Sequence, residues 1–410
     1  MALELLAPVG GMEQLYAAVR FGANAVYGGM ERYGLRAYAG NFGPKALREA
    51  VSYAHANNVR FYTTMNILPT DEDMPGFLDA ARDALDAGVD AAIVSDAGAA
   101  LMLHEQLPDL ALHISTQANV LNSRTAKHFY ESMGARRIVL SRELTLEKIA
   151  AMRRSLPGEL ELEAFVHGAM CVAYSGRCLL SAALTGRSGN RGACAQPCRW
   201  QYHLMEEKRP GEYLPVCEDE HGAYLYSAYD LCMIAHLDEL RDAGIGSLKI
   251  EGRMKTAYYV ATVVSAYRRA VDLLEREGVE AYKAAVPVLT EELNKASHRQ
   301  SNTGFYYGAP TPPAGAGGFC QSMEYVGEVI EGAQPGREAL VRLKNRFYVG
   351  DRLEALTPSG PKAFAARSMR LAATGEEVET ASVAGTLLYV ATPVALEAGD
   401  LLRGPNRNHR

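Results

Sequence analysis

At 410 residues the chain is too long for one average domain and suits two. Its 48% hydrophobic and 22% charged residues are those of a soluble globular protein with a large core, which excludes fibrous and disordered classes. A formal net charge of −6 excludes a global basic field of the kind that advertises nucleic-acid binding, although a local basic groove would suffice for an RNA partner.

The chain opens MALELLAPVGG, without the basic region and apolar run of a signal peptide. No stretch approaches the ~20 apolar residues of a membrane span. A cytoplasmic protein with no membrane partner is therefore expected. Its seven cysteines would sit in a reducing compartment, where thiolate ligands are favoured over disulfides.

One signature recurs along the first 250 residues. GANAVYGG begins at Gly22, GVDAAIVSD at Gly88, GARRIVLSRE at Gly134 and GIGSLKIEGR at Gly244, each after an amphipathic helical segment. The glycine suits the left-handed residue just past a helix C-terminus, and the apolar run after it reads as a buried parallel strand. LELLAPV, VRFYTTMNI, LALHIST and LELEAFV supply further strands. The strands fall near residues 3, 25, 60, 91, 111, 137, 160 and 247. Eight strand–helix units predict a (β/α)8 TIM-like barrel, irregular around a cysteine-rich insertion at about residues 167–235. An open doubly wound sheet is the alternative, but no GxGxxG follows a strand.

A barrel places chemistry at the C-terminal ends of its strands. There the sequence offers Ser95 and Asp96, then Ser115, Thr116, Gln117 and Asn119, then Ser141, Arg142 and Glu143, then His167 and Cys171, and finally Glu251, Arg253 and Lys255. Ser95, Asp96 and Thr145 read more simply as helix caps. Arg142 and Arg253 are harder to dismiss, because two converging guanidinium groups make a bidentate site for carboxylate or phosphate.

After the eighth strand a helix is expected from Thr256 to about Arg276, and a second near Thr290 to Ser297. The barrel domain would then occupy 1–308, and the Pro/Gly-rich run 309–320 would be a linker. From 321 to 410 short strands alternate with turn residues, which predicts a small all-β barrel domain.

Four cysteines, Cys171, Cys178, Cys194 and Cys198, crowd one stretch with gaps of six, fifteen and three residues. Buried packing of small thiols and a disulfide framework are the bland readings. Soft thiolate ligands for a metal are preferred. The uneven gaps depart from paired CxxC zinc knuckles and are tolerable for an iron–sulfur cluster, with zinc as the alternative. Cys217 and Cys232 are further candidate ligands, and Cys320 is the expected spare. Neither a GxSxG nucleophile elbow nor an HExxH zinc-protease motif occurs.

The run EAFVHGAMC from Glu163 to Cys171, followed by SGRCLLS, resembles the signature of the collagenase-like, unassigned-peptidase family 32. So do LLAPVGG, RAYAGNF at Arg36, NRGACAQPCR around Cys194 and SLKIEGRMK from Ser247. The resemblance spans the chain. It implies one of two activities: a peptidase, as the family is labelled, or an oxygen-independent hydroxylase with a 4Fe–4S cluster. The hydroxylase branches act on a tRNA wobble uridine, a ribosomal-RNA cytidine or a ubiquinone precursor. A barrel with one small β domain looks most like the tRNA 5-hydroxyuridine branch, for which the family implies prephenate, a small carboxylate, as hydroxyl donor. A non-catalytic RNA-binding protein is the third reading. The family's ligand set maps onto Cys171, Cys178, Cys194 and Cys232, with Cys198 an open alternative to Cys232. Arg142 and Arg253 would then hold carboxylates, with Gln117, Lys255 and Arg36 as further substrate contacts. His167, Glu163 and Glu251 would be the candidates for proton transfer.

Overall fold

The computed structural model describes residues 2–35, 39–171, 173–200, 203–204, 214–215, 229–308 and 319–407. Eight parallel strands form the N-terminal part: β1 (Glu4–Pro8), β2 (Ala25–Gly29), β3 (Arg60–Met65), β4 (Ala91–Val94), β5 (Leu112–Ile114), β6 (Ala135–Val139), β7 (Glu161–Ala169) and β8 (Ser247–Ile250). Each pairs with its successor, and β8 pairs with both β7 and β1, so the sheet closes into the expected barrel. The four repeat glycines, Gly22, Gly88, Gly134 and Gly244, all have φ between 63° and 97°, the left-handed exit that only glycine makes cheaply.

Helices α1 (Met12–Arg20), α2 (Pro44–Ala56), α3 (Met74–Asp86), α4 (Ala97–Gln106), α5 (Ser123–Met133) and α6 (Leu146–Arg154) alternate with the first strands. Asp96 and Thr145 cap α4 and α6, accepting from Ala99 N and Lys148 N. Ser95 does not cap; its hydroxyl donates to Asn66 O. After β7 come α7 (Leu180–Thr185), the short strand Asp230–Cys232, and α8 (Leu237–Asp242). Helix α9 (Ala257–Arg276) has Thr256 as its N-cap.

Helix α10 spans Val279–Leu293, well ahead of the segment expected from the sequence. Pro287 lies inside it and reads locally as a breaker. Burial of Tyr282, Leu289 and Leu293 against the barrel's helical layer outweighs that local cost.

Alternation along the strands builds two cores. Leu5, Ala7, Val26, Phe61, Val94 and Ile138 face the helices. Leu6, Ala25, Tyr27, Tyr62, Ala91 and Ile93 fill the barrel interior as a separate cluster. Below that cluster lies an ionic layer. Arg137, 2% exposed, donates to Glu4 Oε1 at 2.5 Å and to Glu163 Oε2 at 2.9 Å. Lys249 Nζ donates to Glu163 Oε1 at 2.7 Å, and Ser247 Oγ bridges Glu4 and Glu163. Tyr62 OH and Arg60 also donate to Glu4. Burial alone would raise the Glu4 carboxyl pKa. The charges and hydrogen bonds of Arg137, Arg60 and Tyr62 outweigh it and hold the pKa below its usual value.

The C-terminal part is antiparallel: β9 (Met323–Glu331), β10 (Arg337–Leu343), β11 (Arg352–Thr357), β12 (Gly360–Ala365), β13 (Met369–Leu371), β14 (Leu387–Thr392) and β15 (Leu401–Pro405). They form one sheet in the order β12-β11-β15-β9-β10-β14-β13 around a core that includes Val341, Phe347, Leu353, Val390 and Leu402. Arg403, fully buried, reaches Glu292 of α10 at 2.6 Å and Glu354 of β11 at 2.7 Å. Lys295 bridges the same two carboxylates, and Tyr258 of α9 stacks on Tyr325 with centroids 5.5 Å apart. Most of the expected linker, residues 309–318, lies outside the described residues. Among the described residues no helix is long and apolar enough to cross a membrane.

The barrel interior titrates. His113 is buried, packs edge-on against Tyr62 at 4.7 Å, and is held well below its ordinary pKa by burial and then by Arg137, Lys249 and Arg60. Its neutral form contributes stability that is fully present above the unfolded value of 6.5 and is lost as pH falls below it. Lowering the pH from 8 to 5 should therefore reduce the unfolding free energy through this group. Urea unfolding of the wild type and of His113→Phe at both pH values should show a smaller loss in the variant; equal losses would refute the assignment.

Candidate active site

The C-terminal mouth of the barrel holds a pocket whose walls come from seven of the eight strands or the loops that follow them. Its lining includes Tyr27, Thr64, Asn66, Ser115, Gln117, Arg142, Phe165, Ser175, Lys249, Glu251 and Arg253. Gln117, Arg142, Glu251 and Arg253 of the sequence-based set therefore share one cavity. Arg253 is 4% exposed and donates from Nη1 to Thr64 Oγ1 at 2.9 Å. Arg142 lies over the Phe165 ring at 5.1 Å and donates to Ala169 O and Ser175 Oγ. Its guanidinium thus joins the pocket to the segment that follows β7.

Glycines make room for this arrangement. A Cβ on Gly29 would lie 2.2 Å from Arg253 Nη1. One on Gly168, at φ 106°, would lie 2.6 Å from the Glu251 carbonyl, so the tips of β7 and β8 approach only because that residue lacks a side chain.

Lys249 went unread in the sequence. It lies 4% exposed between Glu163 and the pocket, with its ammonium 4.4 Å from the Tyr27 ring centroid. The signal was present: Lys249, Glu251 and Arg253 fall at every second position, the period of one strand face. Tyr27, Thr64 and Ser175 gave no such signal, because each is an ordinary residue at an inward position.

Three expected contacts are placed elsewhere. Glu163 is fully buried among Arg137, Ser247 and Lys249 and does not line the pocket, so its carboxylate serves the ionic layer. His167 also faces away, toward α9. Its ring packs against Tyr267 and Tyr259, and Nδ1 lies 3.5 Å from Tyr267 OH. Burial, against a smaller opposing effect of Asp230, pushes its pKa down to about 4, so it is neutral at pH 7. Lys255 lies over the Tyr259 and Phe319 rings and reaches Ser297 O, outside the pocket lining. Arg36 and Cys217 fall outside the described residues.

Cys171 and Cys194 are exposed, and Cys178, Cys198 and Cys232 are half-buried. Cys232 pairs with His167 across the antiparallel β7 tip, 4.0 Å from Tyr267 OH, and burial raises its thiol pKa. Among the described residues no three His, Cys, Asp or Glu side chains come together as a metal site. The thiols are the right donors for an iron–sulfur cluster or zinc, but this geometry does not assemble them. The segment carrying the first four is nonetheless tied to the barrel rim. Asn119 Nδ2 donates to Ser175 O at 2.7 Å, Arg177 Nε donates to Asn119 Oδ1, and Arg191 grips Asp73 with both Nη atoms.

Two substitutions separate these roles. Glu163→Gln should destabilise the fold by about 3–5 kcal/mol in urea unfolding, because Lys249 and Arg137 lose a buried partner. Glu251→Gln should leave stability within about 1 kcal/mol while lowering turnover. The reverse pattern would return Glu163 to the chemistry. Gly29→Ala should fold yet displace Arg253, weakening carboxylate binding at least about tenfold by calorimetry, the scale of one charge-assisted hydrogen bond. Unchanged affinity would remove Arg253 from the site.

Comparison with known proteins fits this architecture. The chain is 36% identical to tRNA hydroxylation protein P of Escherichia coli, over 96% of this chain and 94% of that protein. It is 38% identical to the Escherichia coli 23S rRNA 5-hydroxycytidine synthase, over 67% of this chain and 40% of that protein. It is 34% identical to a Porphyromonas gingivalis collagenase, over 80% of each. Residues 10–314 match Peptidase family U32 and residues 321–403 match the Peptidase family U32 C-terminal domain, and the chain belongs to that family.

Proposed function

We propose that the chain is an RNA hydroxylase acting on a pyrimidine, and that its substrate is the wobble uridine of tRNA. The observation that carries this reading is the chemistry of the pocket. Among the described residues, Arg142, Lys249 and Arg253 line it together with one carboxylate, Glu251, and no histidine or cysteine is in the lining. A serine or cysteine peptidase needs its nucleophile within hydrogen-bond reach of a base, and among the described residues Ser115, Thr116 and Ser175 share the cavity with no imidazole. The similarity to tRNA hydroxylation protein P along nearly the whole of both chains supports the same choice.

In this reading Arg253 and Arg142 hold the carboxylates of an anionic hydroxyl donor, for which prephenate is the proposed identity. Lys249 supplies positive charge at the floor, and its ion pair with Glu163 fixes its position. Glu251 is the pocket carboxylate placed to accept the proton that leaves the pyrimidine ring. The cysteines Cys171, Cys178, Cys194 and Cys232 are the proposed ligands of an iron–sulfur cluster. The place of Cys171, Cys178 and Cys194 on the segment anchored to the barrel rim supports that assignment, with Cys232 opposite His167 at the β7 tip, and none of the roles given to Arg142, Lys249, Glu251 or Arg253 depends on it.

Nucleoside mass spectrometry tests the proposal. A deletion strain should lose 5-hydroxyuridine from tRNA; the wild-type gene should restore it and Arg253→Ala should not. Undiminished 5-hydroxyuridine in a strain without a paralogue would overturn the tRNA reading, and loss of hydroxycytidine from ribosomal RNA would redirect it. Collagen cleavage that survives rigorous purification and disappears with one pocket substitution would favour the peptidase. For the cluster, anoxically purified protein should be brown and contain iron and sulfide. Cys232→Ser should abolish the colour and Cys198→Ser should not; the opposite result would exchange the fourth ligand.

A further inference from the structure

Phe319, against Lys255 and Arg299, presents an aromatic ring that the chemistry above does not use. It is 57% exposed. The Arg299 guanidinium lies 4.2 Å from its centroid and the Lys255 ammonium 5.1 Å. Both cations are fixed from behind. Arg299 is 8% exposed and pairs with the buried Asp230, which also accepts from the Arg299 backbone N–H at 3.0 Å. Lys255 reaches Ser297 O and the Tyr259 ring. Lys255 is two residues beyond Arg253, which lines the pocket.

The segment from Cys171 to Trp200 reaches the pocket through Ser175. It contains four arginines and no aspartate or glutamate, in a chain whose net charge is −6. Tyr174 and Trp200 on it are 47% and 48% exposed, and Ser175 between them lines the pocket. Aromatic faces interleaved with arginines, set around a cavity, match the chemistry of unpaired nucleotides: bases stack on the rings and phosphates meet the cations. An apolar protein partner would gain nothing from this local concentration of positive charge.

We propose that this rim is a binding surface for single-stranded RNA, with Phe319 as the stacking platform for the base next to the one that enters the pocket. The inference rests on the RNA reading of the pocket and extends it to the neighbouring nucleotides. A base in an anticodon loop must leave its stack to reach a cavity at the barrel mouth, and its neighbour then lacks a stacking partner. Phe319, backed by two anchored cations, supplies that partner without base-specific hydrogen bonds.

The test uses the full chain and a labelled anticodon stem-loop RNA. Phe319→Ala should weaken binding in fluorescence anisotropy by about fivefold to a hundredfold, the range for loss of one base–aromatic stack, while Phe319→Trp should retain it. Trp200 is the sole tryptophan, so the double variant Trp200→Phe/Phe319→Trp carries one indole at the platform. Saturating RNA should quench its emission, which a merely structural role for Phe319 would not produce. Unchanged affinity in Phe319→Ala together with unquenched emission, while the wild type binds and hydroxylates the RNA, would overturn the platform alone. A wild type that neither binds nor hydroxylates RNA would overturn the pocket reading and the platform together.

Discussion

The buried ionic layer at the base of the barrel is the constraint on which the rest of the molecule depends. Glu4, Arg60, Arg137, Glu163 and Lys249 come from β1, β3, β6, β7 and β8, so five of the eight strands are locked in register by charge as well as by the backbone ladder. Taking such charges out of water costs several kcal/mol per ion, and only complete pairing offsets it. Each of the four buried members, Glu4, Arg137, Glu163 and Lys249, therefore has to be present for the others to be tolerable, while Arg60 closes the layer at its half-exposed edge. Specificity of register, more than net stability, is what the layer supplies.

That layer also reaches the pocket. Lys249 pairs with Glu163 below while its ammonium helps to form the cavity floor. The charge offered to a ligand is thus set by the scaffold, in surroundings where electrostatic interactions are stronger than in water. Above the floor, Arg142 and Arg253 are held by different means: one by the carbonyl and hydroxyl of the segment after β7, the other by Thr64 and the space left by Gly29. The cysteine-bearing segment is consequently part of the pocket wall through Ser175.

Much of the barrel was legible because its signals are local and repeated. A glycine in the left-handed region after four of the helices, followed by an apolar run, marks the start of a strand there. The inner side chains were less legible because the sequence does not show parity. On β7, Glu163 and Phe165 point inward opposite Ser247 and Lys249. A register shift then pairs His167 with Ile250, which faces the helices. One irregularity sends His167 to the outside of the barrel, away from the cavity that strict alternation would have given it. Glu163 is placed in the ionic layer for a related reason. It lies too near the start of its strand to reach the mouth, and its partners are distant in sequence. Helix α10 begins earlier than expected because burial of Tyr282, Leu289 and Leu293 outweighs the local cost of Pro287.

The Arg403 contacts bear on how a large substrate is met. One guanidinium holds Glu292 from the barrel's last helix and Glu354 from the β module, and Lys295 closes the same square. Separating the two modules would break the Arg403–Glu292 and Lys295–Glu354 pairs at once and open a fully buried guanidinium to water. A seam built in this way resists opening and does not behave as a hinge. The distance between the barrel mouth and the β module is thereby a fixed dimension of the molecule, and any partner that touches both must match that length in its own shape.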